Sequence, residues 1–298
     1  MTQRVAITGA SGLVGGALSS SLRARGDEVI HLVRRTPRAP HEVQWDPAAG
    51  TVPSTALAGV TAVVNLAGAP INDGRWTPAR KHELLHSRTD GTSALASAIA
   101  AGRTDIRLVN GSAVGIYGDR GDEILTEESA PGSGFLRELV QAWEGATAPA
   151  AEAGASVALA RTGIVFSREG GAMGRVLPLA RLGLGGPLGS GRQWWPWISL
   201  VDEVAALTHL IDRPDIVGPV NVSAPAPARQ RAVAKALGAR LHRPAILPVP
   251  SLALKLVLGG MATEVLGSKR VSPGRLVDSG FTFAHPDLGN CLEWLVPR

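Results

Sequence analysis

Three glycines near the start of the chain, Gly9, Gly12 and Gly15, constrain its fold most strongly. They follow a short apolar run, Val5 to Ile7, that is too brief and too β-branched for a helix, and they lead into an apolar segment with helical spacing from Leu13. A strand, a glycine turn and a helix in this order are the setting of a dinucleotide-binding fingerprint. The glycines allow a tight turn and a close backbone approach to a pyrophosphate, which the helix N-terminus attracts. The spacing G-x-x-G-x-x-G is one residue longer than usual, and an ordinary glycine turn is the alternative.

A second loop is predicted to approach the same cofactor. The apolar segment Val60 to Leu66 has the character of a buried parallel strand, and it ends in small residues that let a chain pass close to a ligand. The residues predicted to contact the dinucleotide in these two loops are Thr8, Gly9, Ser11, Gly12, Leu13, Val14, Gly15, Leu66, Ala67 and Gly68.

An arginine pair predicts which dinucleotide binds. The predicted second strand, Glu28 to Val33, runs directly into Arg34 and Arg35. The adenosine ribose lies at the end of this strand in such folds, where an acidic residue binds a 2′-hydroxyl and an arginine pairs with a 2′-phosphate. We therefore expect Arg34 to select NADP(H), with Arg35 and Arg38 as helpers. Surface arginines in a loop are the alternative.

Strands and helices alternate through residues 1–165, which predicts an α/β fold with a doubly wound parallel sheet. Residues 166–298 are richer in glycine and proline and are predicted to form a smaller substrate or lid region, with a small C-terminal domain at about 247–298. A strand near 219–223 is expected to return to the main sheet. We also predict one helix over about 134–153 and a closing strand over 280–283.

Composition excludes several classes of protein. The net charge is +5 and the pI is near 10.1, but the basic residues are scattered, so we do not expect nucleic-acid binding. The one cysteine, Cys291, fits a reducing compartment. No segment has the length of a membrane span or the pattern of a signal peptide, so a cytoplasmic location without membrane association is expected. His82 and His86 lie four residues apart without a third ligand nearby, so no metal site is predicted.

The chain resembles an atypical extended short-chain dehydrogenase/reductase of the branch often called epimerase family proteins. The segments that carry the resemblance include Thr8 to Gly15, Asn65 to Ile71, Ser112 to Gly118, Leu182 to Gly186 and Trp197-Ile198. The resemblance covers essentially the whole length, and its C-terminal fifth is similar to a small domain of unestablished function. It implies a Rossmann domain that binds a nicotinamide cofactor, a lid over a small-molecule substrate, and a homodimer.

The chain departs from the broader family at the catalytic residues. Those enzymes use a Tyr-x-x-x-Lys pair in which the lysine lowers the tyrosine pKa. The only tyrosine here is Tyr117, and Gly121 stands at the lysine position. The helix that would carry the pair has Phe135 and Leu139 in its place. We predict catalytic roles for Ser112 and Tyr117, which follow a predicted strand at the edge where ligands bind; lining the site is the alternative for Tyr117.

Further residues are assigned from their places on predicted elements. Arg88 is counted with the cofactor site, although it could bind an anionic substrate group or form a salt bridge. Arg161 at a strand end, with Trp194 and Trp195 in an aromatic cluster, is predicted to contact substrate; packing of the lid or dimerisation is the alternative for the tryptophans. The sequence thus predicts an NADP(H)-dependent oxidoreductase or epimerase-like enzyme, with a non-catalytic NADP(H)-binding sensor or scaffold as the rival.

Overall fold

The structure is a computed structural model that describes residues 2–297. Its strands are β1 (Arg4–Thr8), β2 (Glu28–Val33), β3 (Glu42–Gln44), β4 (Ala62–Asn65), β5 (Arg107–Ala113), β6 (Ile124–Leu125), β7 (Val157–Thr162), β8 (Ile164–Phe166), β9 (Trp194–Trp195), β10 (Trp197–Ser199), β11 (Gly218–Val222), β12 (Ala228–Arg229) and β13 (Arg270–Val271). Its α-helices are α1 (Leu13–Ala24), α2 (Ser54–Leu57), α3 (Pro78–Ala100), α4 (Phe135–Gly145), α5 (Ala148–Glu152), α6 (Gly171–Arg181), α7 (Leu200–Asp212), α8 (Gln230–Leu241), α9 (Ser251–Leu258), α10 (Ala262–Leu266), α11 (Gly274–Asp278) and α12 (Leu288–Leu295).

A seven-stranded parallel sheet forms the centre, in the order β3-β2-β1-β4-β5-β7-β11. The order reverses between β1 and β4, and ligands of open α/β sheets bind outside the carboxyl ends of the strands at such a point. Thr8 at the end of β1 lies between Leu32 of β2 and Asn65 of β4. The predicted α/β doubly wound sheet is confirmed, and β11 is the strand expected near 219–223.

Helices cover both faces of this sheet, as its nearly continuous apolar strands require. On one face, side chains of α1 and α7 pack against β1, β7 and β11, around Leu18, Leu207 and Val220. On the other face, α3 and α5 pack against β2 and β4, around Leu95 and Ile99. The central strands of the sheet therefore lie in the interior. Ligands can reach the sheet at the loops that follow the ends of its strands.

Residues beyond β7 form a third apolar cluster, apart from the two on the faces of the sheet. Trp197, Phe166 and Met173 are fully buried there, together with Cys291 of α12. The helices α9 and α10 border the space between this cluster and the glycine turn, because Leu254 and Leu258 of α9 and Val265 of α10 line that space.

Two predicted elements differ from those observed. The helix expected over 134–153 breaks into α4 and α5, because Pro149 lacks an N–H and its ring clashes with the carbonyl one turn earlier. The strand expected over 280–283 does not form. Phe281 and Phe283 pack edge to face at 4.8 Å, and the next two backbone N–H groups, of Ala284 and His285, donate to the Asp202 carboxylate rather than to a strand.

No helix within residues 2–297 combines the length and the apolar character needed to span a bilayer.

Candidate functional site

The glycine turn after β1 has no room for side chains. Gly9 has φ +68°, and a Cβ there would lie 2.6 Å from the Leu66 carbonyl oxygen. A Cβ on Gly15 would lie 2.3 Å from the Gly9 carbonyl oxygen. The Gly12 N–H donates to that same oxygen at 2.9 Å and closes the turn. The turn is therefore a backbone cradle that a larger residue at Gly9 or Gly15 would fill or distort.

The N-terminus of α1 opens toward the cavity in front of this turn. Gly12 is the N-cap and supplies no side-chain acceptor, and the first turn of α1 holds no acidic residue. The first N–H groups of a helix have no intrahelical partner and carry the positive end of its dipole. Gly9, Gly12, Leu13, Val14 and Gly15 all line the cavity. This end of α1 can accept an anionic group.

Thr8 holds the second loop against the turn from inside. Its hydroxyl donates to Asn65 Oδ1 at 2.6 Å and accepts from the N–H groups of Leu66 and Ala67 at 3.0 and 3.1 Å. Thr8 is fully buried, whereas Leu66 lines the cavity. Thr8 therefore positions the loop rather than facing the cavity. Ser11 is exposed and borders a separate cavity beside α1 and α7.

The arginines after β2 differ in their partners. Arg35 donates to both Glu42 carboxylate oxygens at 2.8 and 2.6 Å, and this hydrogen bonding lowers the pKa of Glu42 to about 2. Arg34 is exposed and has no hydrogen bond or ion pair within the part of the chain that the structure describes. Of the two arginines, Arg34 therefore has its donors available for a ligand at the end of β2.

Arg88 supports the second loop. Its guanidinium donates to the carbonyl oxygens of Leu84 and Ala69 at 3.0 and 3.1 Å and lies 5.3 Å from the Trp143 ring centre. Burial lowers the pKa of Arg88 to about 10. A Cβ on Gly68 would come within 2.9 Å of the guanidinium carbon. Arg88 thus packs behind Gly68 and does not line the main cavity.

The predicted catalytic residues lie in a buried network instead of in the cavity wall. Tyr117 is fully buried; its hydroxyl donates to Asn221 Oδ1 at 2.7 Å and accepts from Arg161 at 3.0 Å. Burial raises the pKa of Tyr117. Ser112 donates to Glu144 Oε1 at 2.5 Å.

Arg161 joins these groups through a two-point ion pair. Its Nε and one terminal nitrogen donate to the two Glu144 oxygens at 2.8 and 2.9 Å, and it also donates to the Glu127 carbonyl oxygen at 3.3 Å. Ser112, Tyr117 and Arg161 therefore have protein partners for their polar atoms, and they do not line the main cavity. Ser112 and Arg161 satisfy the Glu144 carboxylate, whose side chain is 12% exposed, and the predicted contact of Arg161 with substrate stays a prediction.

The main cavity has a volume of about 720 Å³ and lies between the glycine turn and the C-terminal region. Its walls are mostly aliphatic and aromatic, and they include Ile71, Trp76, Val114, Leu136, Ile164, Val176, Trp194, Trp195, Leu254, Leu258, Met261 and Val265. A volume of this size, with few polar groups, is typical of a site for a small molecule.

Two of the tryptophans contribute to this wall in different ways. Trp195 is buried in the cluster beyond β7. Trp194 is half-buried, with Arg229 and Arg270 at 4.5 and 4.8 Å from its ring centre, and its indole N–H donates to Asp122 at 2.8 Å. These contacts fix Trp194 in the cavity wall, and its contact with substrate stays a prediction.

Charged groups in the cavity wall come mainly from the C-terminal region. Lys269 Nζ donates to Glu264 Oε2 at 2.9 Å, and the Lys269 side chain is 7% exposed. The backbone N–H of Lys269 donates to the Trp194 carbonyl oxygen at 3.2 Å, which fixes the residue beside β9. The remaining charged residue in the wall, Arg175, is exposed at the rim. Sequence reasoning missed Lys269 and Glu264, because nothing in their spacing distinguishes them from other surface charges.

A buried carboxyl group lies directly behind the cavity wall. Glu203, in the first turn of α7, accepts from the Thr162 hydroxyl at 2.8 Å, and Thr162 lines the cavity. Glu203 Oε2 has no hydrogen-bond partner among residues 2–297. Burial raises the pKa of Glu203 to about 8. The N-cap of α7 is Ser199, whose hydroxyl accepts from the Asp202 N–H.

Known proteins are similar to this chain in sequence and in fold. The model of the NAD dependent epimerase/dehydratase family matches residues 5–223, and the model of a domain of unknown function, DUF1731, matches residues 249–295. An epimerase family protein of Mycobacterium bovis is 43% identical over 295 residues, covering 99% of this chain and 98% of its own. The human epimerase family protein SDR39U1 is 36% identical, covering 98% of this chain and 99% of its own.

Two solved structures are also similar to this chain. The crystal structure of human SDR39U1 (isoform 2) with NADPH superposes with a TM-score of 0.91 at 34% identity, over 99% of both chains. A structure described as the nucleoside-diphosphate sugar epimerase of Corynebacterium glutamicum has a TM-score of 0.81 at 37% identity, over 99% of this chain and 58% of that one. The chain therefore belongs to the NAD-dependent epimerase/dehydratase family, in the group of epimerase family proteins with a C-terminal DUF1731 domain.

Proposed function

We propose that the protein binds NADP(H) at the glycine turn and acts on a small molecule held in the main cavity. The observation that carries this proposal is the cradle at Gly9 and Gly15, where a Cβ would lie within 2.6 Å of backbone atoms, beside the open N-terminus of α1. Such a cradle fits a pyrophosphate. The likeness to human SDR39U1, solved with NADPH, supports the same assignment.

Arg34 would select the phosphorylated cofactor. Its donors are free within the described residues, and the register of β1 and β2 places the end of β2 beside the glycine turn. A guanidinium binds a 2′-phosphate through charge-assisted hydrogen bonds. Arg35 is already bonded to Glu42, so its part in the site is to hold the loop that carries Arg34.

The reaction class we propose is oxidoreduction or an epimerase-like reaction. Bound NADP(H) supplies hydride transfer. The chain contributes an apolar chamber that excludes water and polar groups at Lys269, Glu264 and Thr162 that can orient a substrate oxygen. Because Tyr117 and Ser112 are bonded inside the protein, we assign them to holding the wall formed by Val114 and Gly115 rather than to proton transfer.

One observation favours a second candidate, a non-catalytic NADP(H)-binding sensor or scaffold. The tyrosine, serine and arginine that sequence reasoning placed at the reaction centre are sequestered in a buried network.

Hydride transfer distinguishes the two candidates. The protein is mixed with NADPH and a broad panel of ketones, aldehydes and enones, and oxidation is followed at 340 nm. Oxidation that depends on both protein and substrate supports the enzyme. Tight NADPH binding without oxidation across the panel would refute the enzyme and leave the sensor. A Gly15→Ala variant is the control, because its turn has no space for the added methyl group.

We further propose a reducing compartment such as the cytoplasm, since the chain has one cysteine, Cys291, and therefore no internal disulfide. A homodimer also remains a proposal, which size-exclusion chromatography with light scattering would test; a monomer at micromolar concentration would contradict it.

A further inference from the structure

The charges in the main cavity point to a substrate class. Among the residues that line the cavity, the charged ones are Lys269, Glu264 and Arg175. Lys269 and Glu264 form an ion pair with no net charge, while Arg175 is exposed at the rim. The buried part of the cavity is therefore electrically neutral and largely apolar.

Neutrality argues against an anionic substrate in the deep cavity. Away from the N-terminus of α1, which can hold the cofactor pyrophosphate, a diphosphate or carboxylate moved out of water needs a cation that is not already neutralised, because the desolvation of an unpaired charge is costly. Arg161 is neutralised by Glu144, and Arg88 donates to backbone carbonyl oxygens behind the wall. The described wall thus lacks the unpaired buried cations that a nucleoside diphosphate would require.

The pair nevertheless offers a directed donor. The Lys269 ammonium has three N–H groups, and within residues 2–297 one of them donates to Glu264. Its backbone is fixed by the Trp194 carbonyl oxygen, and the neighbouring Ser268 hydroxyl accepts from the Trp194 N–H at 3.0 Å. An ammonium held in this way can donate to a ligand oxygen, while the partner carboxylate can accept from a ligand hydroxyl.

We propose that the substrate is an uncharged, mainly apolar molecule whose carbonyl or hydroxyl oxygen is bound by Lys269, with Glu264 completing the polar end of the site. This inference rests on the proposed function for the identity of the cavity as a substrate site. It assigns a role to the C-terminal region matched by DUF1731: α10 and the loop before β13 supply the polar end of the substrate site.

The test uses the full chain saturated with NADP⁺, so that a bound ketone is not reduced, and isothermal titration calorimetry. The probes are 2-decanone and 2-decanol as neutral ligands, decanoate as the matched anion, and UDP-glucose as a nucleotide sugar. We expect a neutral probe to bind at least 10-fold more tightly than decanoate or UDP-glucose. Equal or tighter binding of either anion, or no binding of either neutral probe, would overturn the proposal.

Variants locate the contact. Removing either partner alone would leave the other as an unpaired charge, so Lys269→Met is made together with Glu264→Gln. We expect this double variant to bind the neutral probe about 10- to 100-fold more weakly than the unmodified protein, through the loss of a charge-assisted hydrogen bond. The control Lys235→Met removes an exposed lysine of α8 that does not line the cavity and should leave this affinity unchanged. Equal affinity of the unmodified protein and the double variant would refute the contact.

Failure of this proposal and failure of the cofactor assignment are separable. NADP⁺ and NADPH affinities are measured on each variant and should not change, because Lys269 bonds to Glu264 and Trp194 and, within residues 2–297, makes no hydrogen bond to the glycine turn. If a variant loses the neutral probe but keeps its affinity for the cofactor, the effect is confined to the Lys269 contact. If the unmodified protein does not bind the cofactor, the assignment of the glycine turn fails instead.

Discussion

Glu203 makes the stability of this protein depend on pH in a direction opposite to that of most carboxylates. It lies in the first turn of α7, where the helix dipole favours a negative charge by about 0.3–1 kcal/mol. Burial acts the other way and is the larger effect, because it raises the pKa of Glu203 from the ordinary 4.5 to about 8. One hydrogen bond, from Thr162, does not compensate for the unpaired second oxygen.

The sign and size of the effect follow from linkage. The folded state holds the Glu203 proton between pH 4.5 and 8, whereas the unfolded state releases it, so the free energy of unfolding falls as pH rises through this window. The two pKa values correspond to about 5 kcal/mol at high pH, as an upper limit. Glu203→Gln removes the titration and keeps the shape, so it should stabilise the protein by about 1–3 kcal/mol at pH 9 and by less than about 1 kcal/mol at pH 5.

Thermal unfolding at pH 5, 7 and 9 measures this difference. At about 2 °C per kcal/mol for a chain of this size, the melting temperature of Glu203→Gln should exceed that of the parent by about 2–6 °C at pH 9. Glu152→Gln, which alters an exposed carboxylate, is the matched control and should show no pH-dependent difference. A Glu203→Gln variant that is less stable than the parent at pH 9, or equally stable at all three values, would refute the reasoning.

Three further variants test the turn and the buried network. Gly15→Ala should weaken NADPH binding at least 100-fold, because its Cβ would lie 2.3 Å from the Gly9 carbonyl oxygen; unchanged affinity in a fluorescence titration would contradict the cradle. Glu144→Gln leaves the buried Arg161 without its partner and should cost about 3–5 kcal/mol in denaturant unfolding, and a cost below 1 kcal/mol would speak against the network. Tyr117→Phe should lower stability by about 1–3 kcal/mol without changing NADPH affinity. Loss of hydride transfer at unchanged stability would instead return Tyr117 to a catalytic role.

Local pattern was sufficient to predict the fold of the first half of the chain. The β1 turn and the strand over residues 28–33 are signalled by residues adjacent in sequence, and the mainly apolar strand β4 lies between β1 and β5, as expected of a buried parallel strand. The split between α4 and α5 was also readable in principle, since Pro149 is visible in the sequence.

The substrate end of the site could not be predicted in the same way. In sequence Lys269 resembles the other lysines, and only the fold brings it into the wall of the cavity that the cofactor loop also lines. Ser112 and Tyr117 were assigned by their place after a strand. Their actual contacts are set by burial and by distant partners, since Ser112 donates to Glu144 and Tyr117 donates to Asn221. These outcomes depend on partners more than 30 residues away, which no local spacing encodes.

The choice of cofactor is the central claim, and one titration tests it most directly. NADPH and NADH are titrated against the unmodified protein, against Arg34→Ala, and against Arg231→Ala as a control for an exposed arginine on α8. We predict that the unmodified protein and the control bind NADPH at least 10-fold more tightly than NADH, and that Arg34→Ala loses this preference by weakening NADPH alone, because a guanidinium–phosphate contact is lost. Equal affinities for the two cofactors in the unmodified protein would contradict the assignment of Arg34 and, with it, of NADP(H).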